Sequence, residues 1–396
     1  QFPGEWGSAG YNSAGVGMSS TETIFSSEKA LSADPYVEDG LAENCTYNIV
    51  LPYIRTAREG VERLGMLIEK YGSAEGFGIG FIDCSEVWYL ENACGHYWLA
   101  CRIPCDSYFV TGNQSRYRDY DPHDNENFMA SAGLVAFAER NGLYDPAYGK
   151  FDFHEAYSRD EKLDVTYNYP RVWALQQMFS PAISNDVTCN TFHVFAQAEK
   201  PIGISELRKA FRFHYNDTDH DPYLHCNGRE PYRPVSIFRT TQTHLLQVRP
   251  ELPRAIGCMT YVAMGMADLG VFLPLYQGVK SYPEAYSMGN GHADSKSAYW
   301  KFRKVMTLGM TDYNAYAPLI KETYSRLEVE NDQRQKEMEA EYLKIFNTEP
   351  MKAQDMLQQF SDDLLNKALK VADGLTEELF TRLTQDIQKE YLFHGA

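Results

Sequence analysis

Between residues 86 and 116 the chain alternates apolar runs with turn residues. Runs rich in aromatic and β-branched side chains at 87–90, 97–103 and 108–111 are cut by Asn92-Ala93-Cys94-Gly95 and by Pro104-Cys105-Asp106. Branched and aromatic side chains suit a pleated surface, whereas Gly, Pro, Asn and Asp suit turns, so the pattern predicts a strand meander. Residues 77–82 begin the same sheet, and the small residues at 16–20 predict a short buried strand after the turn at 10–15.

A second period, close to 3.6, governs other stretches. Ile49, Leu51, Ile54, Val61, Leu64, Leu67 and Ile68 predict helix within 44–71, with Pro52 near a start or kink and Gly72 at the stop. Helices are expected over 127–140, 171–179 and 204–214, closed by Asn141-Gly142, by Pro181 and by the acidic loop 216–222. Residues 151–157 read as the start of a polar connection, and strands are expected at 235–239, 244–248, 260–264 and 271–276. Beyond about Ser295 charge rises and glycine thins, while Leu327, Met338, Tyr342, Ile345, Leu357, Leu364, Leu365, Leu369, Leu375 and Leu379 keep helical spacing. No repeat, low-complexity linker or Pro/Ser hinge divides the chain. The expectation is one α+β domain over 1–396, a core at 1–294 with a mostly helical extension at 295–396.

Composition narrows the function. A chain of 396 residues, 44% hydrophobic and 14% aromatic, has the makings of a folded globular protein. Its formal charge of −17, from 54 acidic and 37 basic residues with no dense Lys/Arg run, argues against nucleic acid and anionic membrane as partners. The most apolar window, 252–279, is broken by Arg254, Asp268, several glycines and Pro274, so it reads as buried strands and turns, with no membrane span. Small-molecule or peptide chemistry is favoured.

Position 1 is Gln, and no charged-then-apolar leader follows, so an upstream segment is expected to have been removed, cleaved or left out. Eight cysteines are too few to define a disulfide scaffold in so long a chain. The meander would hold Cys94 and Cys105 about 30 Å apart, beyond bridging distance, and leaves Cys84 with Cys105 as a geometrically permitted pair. Few persuasive pairs favour the cytoplasm, with secretion the alternative. Sequons at Asn44, Asn113 and Asn216 occur at about chance density and do not settle the compartment.

Several constellations could carry chemistry. Asp217, Asp219 and Asp221 resemble the start of a calcium loop, but Pro222 stands where glycine is needed and Gly228 where a bidentate glutamate is needed. His214, His220, His225 and Cys226 match no standard zinc spacing, so a solvated acidic loop is favoured over a metal site. Cys94, Cys101 and Cys105 with His96 are scattered by the strand pattern and read as core or turn cysteines. There is no GxSxG elbow, P-loop or Rossmann fingerprint, and neither cofactor nor metal is expected. What remains is Gly112-Asn113-Gln114-Ser115-Arg116, which delivers amide and guanidinium donors where the apolar meander ends. Those donors suit a substrate carbonyl or carboxylate; on spacing alone, a turn-capping Asn113 is the favoured reading.

Longer blocks carry a resemblance. WGSAGYNSAGVGMSSTET at 6–23, LPYIRTAREGVERLGMLIEKYG at 51–72, the stretch 86–114, YNYPRVW at 167–173 and YRPVSIFRTTQTHLLQVRP at 232–250 are similar, in order, to the cysteine dipeptidases of the N-terminal-nucleophile (Ntn) hydrolases. Secernin-like proteins and, more distantly, the bile-salt hydrolase and penicillin acylase group are related branches. The resemblance implies a four-layer αββα sandwich and attack on an amide carbonyl by an N-terminal cysteine thiolate, with its own α-amine as base and water releasing the acyl-enzyme. Carried over residue by residue, it implies that the Asn113 amide forms part of the oxyanion hole, with main-chain amides near Thr21 and Glu22 as the other donor. Arg171 corresponds to the arginine that favours the thiolate, and Arg239 is a second candidate for that role; on the residues alone, Arg171 suits an ion pair at a helix start equally well.

The chain departs from the family pattern at its beginning. Position 1 is Gln and the first cysteine is Cys45, placed before a helix, so the nucleophile and first strands are expected on a segment outside this chain, such as an upstream fragment of the same precursor. Three functions follow: a dipeptidase acting on short peptides, an amidase or acylase of the same superfamily, or an inactive secernin-like interaction protein. The helical tail offers a surface for a homo-oligomer, although covering its own core explains the same apolar positions.

Overall fold

The computed structural model describes residues 9–22, 24–224 and 229–391, and the chain divides into two compact units. The first comprises 1–202 with 248–251; the second comprises 203–247 and 252–396. Mixed α and β structure with antiparallel pairing is present, and the C-terminal region is helical, as expected.

The first unit is built on strands β1 (Ala9–Tyr11), β2 (Gly17–Glu22), β3 (Phe77–Ile82), β4 (Val87–Asn92), β5 (Trp98–Arg102), β6 (Tyr108–Phe109), β7 (Phe128–Ala130) and β8 (Phe195–Ala196). Six form one sheet in the order β1-β2-β3-β4-β5-β7, every neighbour antiparallel, while β6 pairs separately with β8. Side chains alternate across a strand, and both sheet faces are buried. Met18, Ile79, Phe81, Trp88, Leu90, Trp98 and Ala100 pack with Val61, Leu64 and Ile68 of the helix Ala57–Tyr71. Tyr89, Leu99 and Cys101 turn the other way, toward Tyr117, Leu134, Phe137, Phe153 and Tyr157.

Local rules explain where elements begin and end, and where the expected boundaries fail. Residues 44–71 are not one helix: Glu43–Val50 gives way to a 3-10 turn, Leu51–Tyr53, holding Pro52 in its first turn, before Ala57–Tyr71 begins. The Thr56 hydroxyl accepts from the Glu59 N–H at 3.1 Å, and Asp83 accepts from the Ala57 N–H at 2.7 Å, satisfying two of the orphan donors of the new helix. Residues 127–140 split into β7 and the helix Leu134–Arg140, because the 128–130 edge pairs with β5 before the chain turns at Gly133. The polar connection expected at 151–157 contains the helix Phe153–Tyr157, capped by Asp152. No strand forms at 235–239, which is turn; Ser236 instead accepts from the Asp268 N–H at 2.8 Å through its hydroxyl.

In the second unit β9 (Gln242–Val248), β10 (Cys258–Met264) and β11 (Leu273–Tyr276) form a sheet in the order β11-β10-β9. Helices Ala298–Gly309, Tyr313–Ile345 and Pro350–Glu390 pack into its core through Phe302, Ile320, Tyr324, Leu357, Leu364 and Leu365 among others, beside Leu269, Val271 and Phe272 of the connection between β10 and β11. Arg208 on the helix Ile204–Phe211 makes a fork-like pair with Asp332, at 2.7 and 2.9 Å. No described helix is long and apolar enough to cross a membrane.

Gly65 shows how closely the helix Ala57–Tyr71 approaches the sheet: a Cβ there would overlap the Trp98 indole. Gly374, in the last helix, has open space around the same position. Gly65→Val is expected to cost about 2 kcal/mol through overpacking, while Gly374→Ala gains about 1 kcal/mol of helix propensity. Urea unfolding of the two variants beside the parent checks both signs.

Candidate active site

The polar turn after β6 is placed by residues on either side of it. On one side stands a nearly continuous helical stretch, Asp164–Tyr167 followed by Tyr169–Phe179. Pro170 has no N–H to offer the Thr166 carbonyl, so the helix breaks there and restarts. Asp164, Asn168 and Arg171, spaced by four and three residues, still share one face.

That face grips Asn113. The Asn168 side chain accepts from the Asn113 N–H at 2.8 Å and donates to the Asn113 carbonyl at 3.1 Å. Its own amide is held by the Asp164 carboxylate at 2.5 Å. Arg171 Nη2 donates to Oδ1 of Asn113 and to Oδ1 of Asn168, both at 2.7 Å, while its Nε donates to the Tyr167 carbonyl at 2.9 Å. Because the Asn113 oxygen accepts from a guanidinium, its Nδ2 end is the one directed away from Arg171. Gly112 leaves the room this requires: a Cβ there would stand 2.9 Å from Asn168 Oδ1 and 3.3 Å from Arg171 Nη2.

The other side of the turn is held by the sheet. Ser115 donates its hydroxyl to Glu91 Oε2 at 2.6 Å, and the Arg116 N–H donates to Glu91 Oε1 at 3.0 Å. The buried Arg116 guanidinium is held by carbonyls: Val110 and Phe192 at 3.3 Å, and His193 at 2.9 Å. His154 Nδ1 faces the Ser115 carbonyl at 3.1 Å, so it carries the proton, and Nε2 accepts from Asn190 at 2.9 Å. Asn190 in turn accepts from the Gln114 amide at 3.0 Å.

Glu91 is fully buried, and burial pushes its carboxyl up to about 7; the Ser115 hydroxyl, the Arg116 and Tyr117 N–H groups and the Arg116 charge pull the other way. Burial likewise draws the Arg116 guanidinium down to about 10, against the pull of Glu91.

Of the residues expected at a site, Asn113 and Arg171 are therefore in direct contact. Arg171 works here on the asparagine oxygen, and Asn168, Asp164 and Glu91 join the assembly unforeseen. Glu91 had left a trace in the sequence, a carboxyl inside the apolar run Val87–Asn92. Thr21 and Glu22 end β2 opposite Gly78 and Phe77, and their side chains lie outside the described residues. Arg239 is exposed in a turn of the second unit. Two surface cavities, about 370 and 640 Å³, are lined without Asn113 or Arg171.

The seven described cysteines form no disulfide. Burial pushes the Cys94 and Cys101 thiols well above their ordinary range, so neither presents a thiolate near neutrality. In the acidic loop Asp217 is exposed, as expected of a solvated segment, but Asp221 is fully buried. Asp221 meets His214 Nδ1 at 2.9 Å, while Tyr313 donates to Asp268 at 2.6 Å and Lys321 pairs with Asp268 at 2.8 Å. Burial of His214 works against its protonation, but Asp268 and Asp221 outweigh it and raise its pKa. His225 and Cys226 lie outside the described residues.

Comparison with known proteins gives this assembly a family. Residues 1–326 match the model for Peptidase family C69. A probable dipeptidase of Salmonella dublin is 50% identical over 313 residues, covering 76% of this chain and 72% of that protein. Probable dipeptidase A of Streptococcus pyogenes serotype M3 (strain SSI-1) is 32% identical over 389 residues, covering 96% of this chain and 83% of its own. Dipeptidase A of Lactobacillus helveticus is 30% identical over 385 residues, covering 95% and 80%. These similarities place the chain among the peptidases. It belongs to Peptidase family C69, the cysteine dipeptidase family of the Ntn-type hydrolases.

The raised Glu91 fixes the sign of a stability effect. A carboxyl whose folded pKa is about 7, against 4.5 ordinarily, contributes stability that is present below the lower value and is lost as pH rises through the higher one. From about pH 5 to about pH 8 the parent should lose on the order of 3 kcal/mol relative to Glu91→Gln. Urea midpoints of the two proteins across that range measure the difference.

Proposed function

We propose that this protein hydrolyses dipeptides and other short peptides through a cysteine thiolate supplied by a segment upstream of residue 1, which becomes the mature N-terminus. The single observation that carries the reading is the Arg171–Asn113 bond of 2.7 Å, found in a chain of the cysteine dipeptidase family. The thiolate attacks the scissile carbonyl, and the cysteine's own α-amine serves as base. The resulting oxyanion is met by Asn113 Nδ2 and by a main-chain N–H near Thr21 and Glu22. Collapse of the intermediate expels the amine with a proton, leaving a thioester that water hydrolyses. The Arg171 charge also favours the thiolate over the thiol. In the same reading both units belong to one Ntn-hydrolase domain, and the six-stranded sheet is one of the two central layers of its αββα sandwich. Arg239 stays the weaker second candidate for the arginine role.

Assay of the full-length protein against a dipeptide panel tests this. Asn113→Ala is expected to lower kcat/KM by two to three orders of magnitude, about 3–4 kcal/mol, and normal turnover would overturn the role given to Asn113. Faster turnover of non-peptide amides than of any dipeptide would favour an amidase. Mass spectrometry of the natural N-terminus decides between enzyme and inactive relative: a fragment beginning with Cys is expected, and its absence from the purified protein would count against the mechanism.

A further inference from the structure

We infer that Glu91 is a positioning residue, which sets Asn113 relative to the Thr21 end of β2 by holding Ser115 and Arg116 against the sheet. This deepens the oxyanion reading proposed above and rests on it.

Thr21 is paired with Gly78, and Gly78 with Glu91, so the three residues form one row across β2, β3 and β4. Two ladder steps separate Thr21 from Glu91, about 10 Å at the usual strand spacing. Residues directly opposite in an antiparallel ladder share a face, and this row continues to Leu99, whose side chain packs in the core with Tyr89 and Tyr117. The middle of the row is a glycine, and the Tyr89 side chain takes the space over it, since a Cβ at Gly78 would overlap the Tyr89 hydroxyl.

Glu91 then hands that position to the loop. Its two oxygens take the Ser115 hydroxyl and the Arg116 N–H, one and two residues beyond Gln114. Asn113 is thus clamped twice, by Asn168 on its own backbone and by Glu91 two residues downstream. The second clamp refers it to the sheet that carries Thr21, and the Tyr117 hydroxyl adds a bond from the same loop to the Tyr89 carbonyl of β4 at 2.9 Å. Arg116 cannot take over that role, because its guanidinium is committed to the carbonyls of Val110, Phe192 and His193.

The clamp is sensitive to protonation. The titratable and charged groups that act on the carboxyl are Arg116 and Tyr117 from the loop and Cys101 from β5, and the Tyr89 hydroxyl lies over Gly78, the ladder partner of Glu91. As an ion, Glu91 accepts from all of its donors; once protonated, it must give up one acceptor position to its own hydrogen. Loss of the ion therefore loosens the loop, and the effect reaches chemistry through misplacement of the Asn113 amide.

The test uses the full-length protein, with kcat and KM followed separately from about pH 5 to about pH 9. Ser115→Ala is expected to lower kcat roughly 10-fold with KM within about 2-fold, and to cost less than about 2-fold when Asn113→Ala is already present. Glu91→Gln is expected to remove an acid limb of kcat centred near the Glu91 pKa of about 7. If Ser115→Ala fails to fold, Glu91→Gln carries the comparison alone. An unchanged kcat profile in Glu91→Gln, or equal losses from Ser115→Ala with and without Asn113, would overturn the inference. Normal turnover of Asn113→Ala would instead remove the oxyanion reading itself, so the two failures are told apart.

Discussion

A carboxyl group cut off from water must find its donors within the protein, and Glu91 finds them in the turn that carries Asn113. An unpaired buried carboxylate is among the most expensive groups a fold can contain. Satisfying it obliges residues 115 and 116 to approach the sheet, which obliges Gly112 and Asn113 to leave β6 toward the helix Tyr169–Phe179. The same demand recurs at Arg116, whose buried guanidinium draws the carbonyls of Val110, Phe192 and His193 around it. The turn is thus shaped chiefly by the need to solvate two charged side chains with protein groups.

The geometry also divides labour between two amides that are chemically identical. Asn168 spends its side chain on its neighbours, accepting from Arg171 and the Asn113 N–H and donating to Asp164 and the Asn113 carbonyl. Asn113 is oriented by those contacts, with its oxygen turned to Arg171. A donor placed by others before substrate arrives needs little reorganisation during reaction, the condition under which a hydrogen bond contributes most to a developing negative charge.

How much of this was legible beforehand depended on whether the signal was local. The meander is legible from alternation between strand and turn residues, and it stands at β4, two residues longer than expected, and at β5 and β6, both shorter. The long tail was read from helical spacing and stands as three helices. Long-range pairing outweighed local preference at 127–140, which lost its first turn to an edge strand, whereas 44–71 breaks beside Pro52, where a start or kink is expected. Asn113 and Arg171 could be named from family blocks, but 58 positions separate them and no local pattern states that they touch. Asn168 and Asp164 left only a helical spacing, and Glu91 only a carboxyl within an apolar run. The acidic composition of 216–222 reads as loop surface, and it does not state that Asp221 turns inward to His214, seven residues back.

The helical stretch beside Asn113 has a consequence for how this chain can change. Asp164, Asn168 and Arg171 reach one point because they are separated by four and three positions along a helix. Side-chain replacements at the positions between these three can be absorbed one at a time, but a single-residue insertion or deletion between Asp164 and Arg171 turns everything beyond it by about 100°. The guanidinium would then leave the amide it orients. Lengths of this segment are therefore under tighter constraint than its letters, so relatives that keep the arrangement should vary in residue identity here long before they vary in spacing.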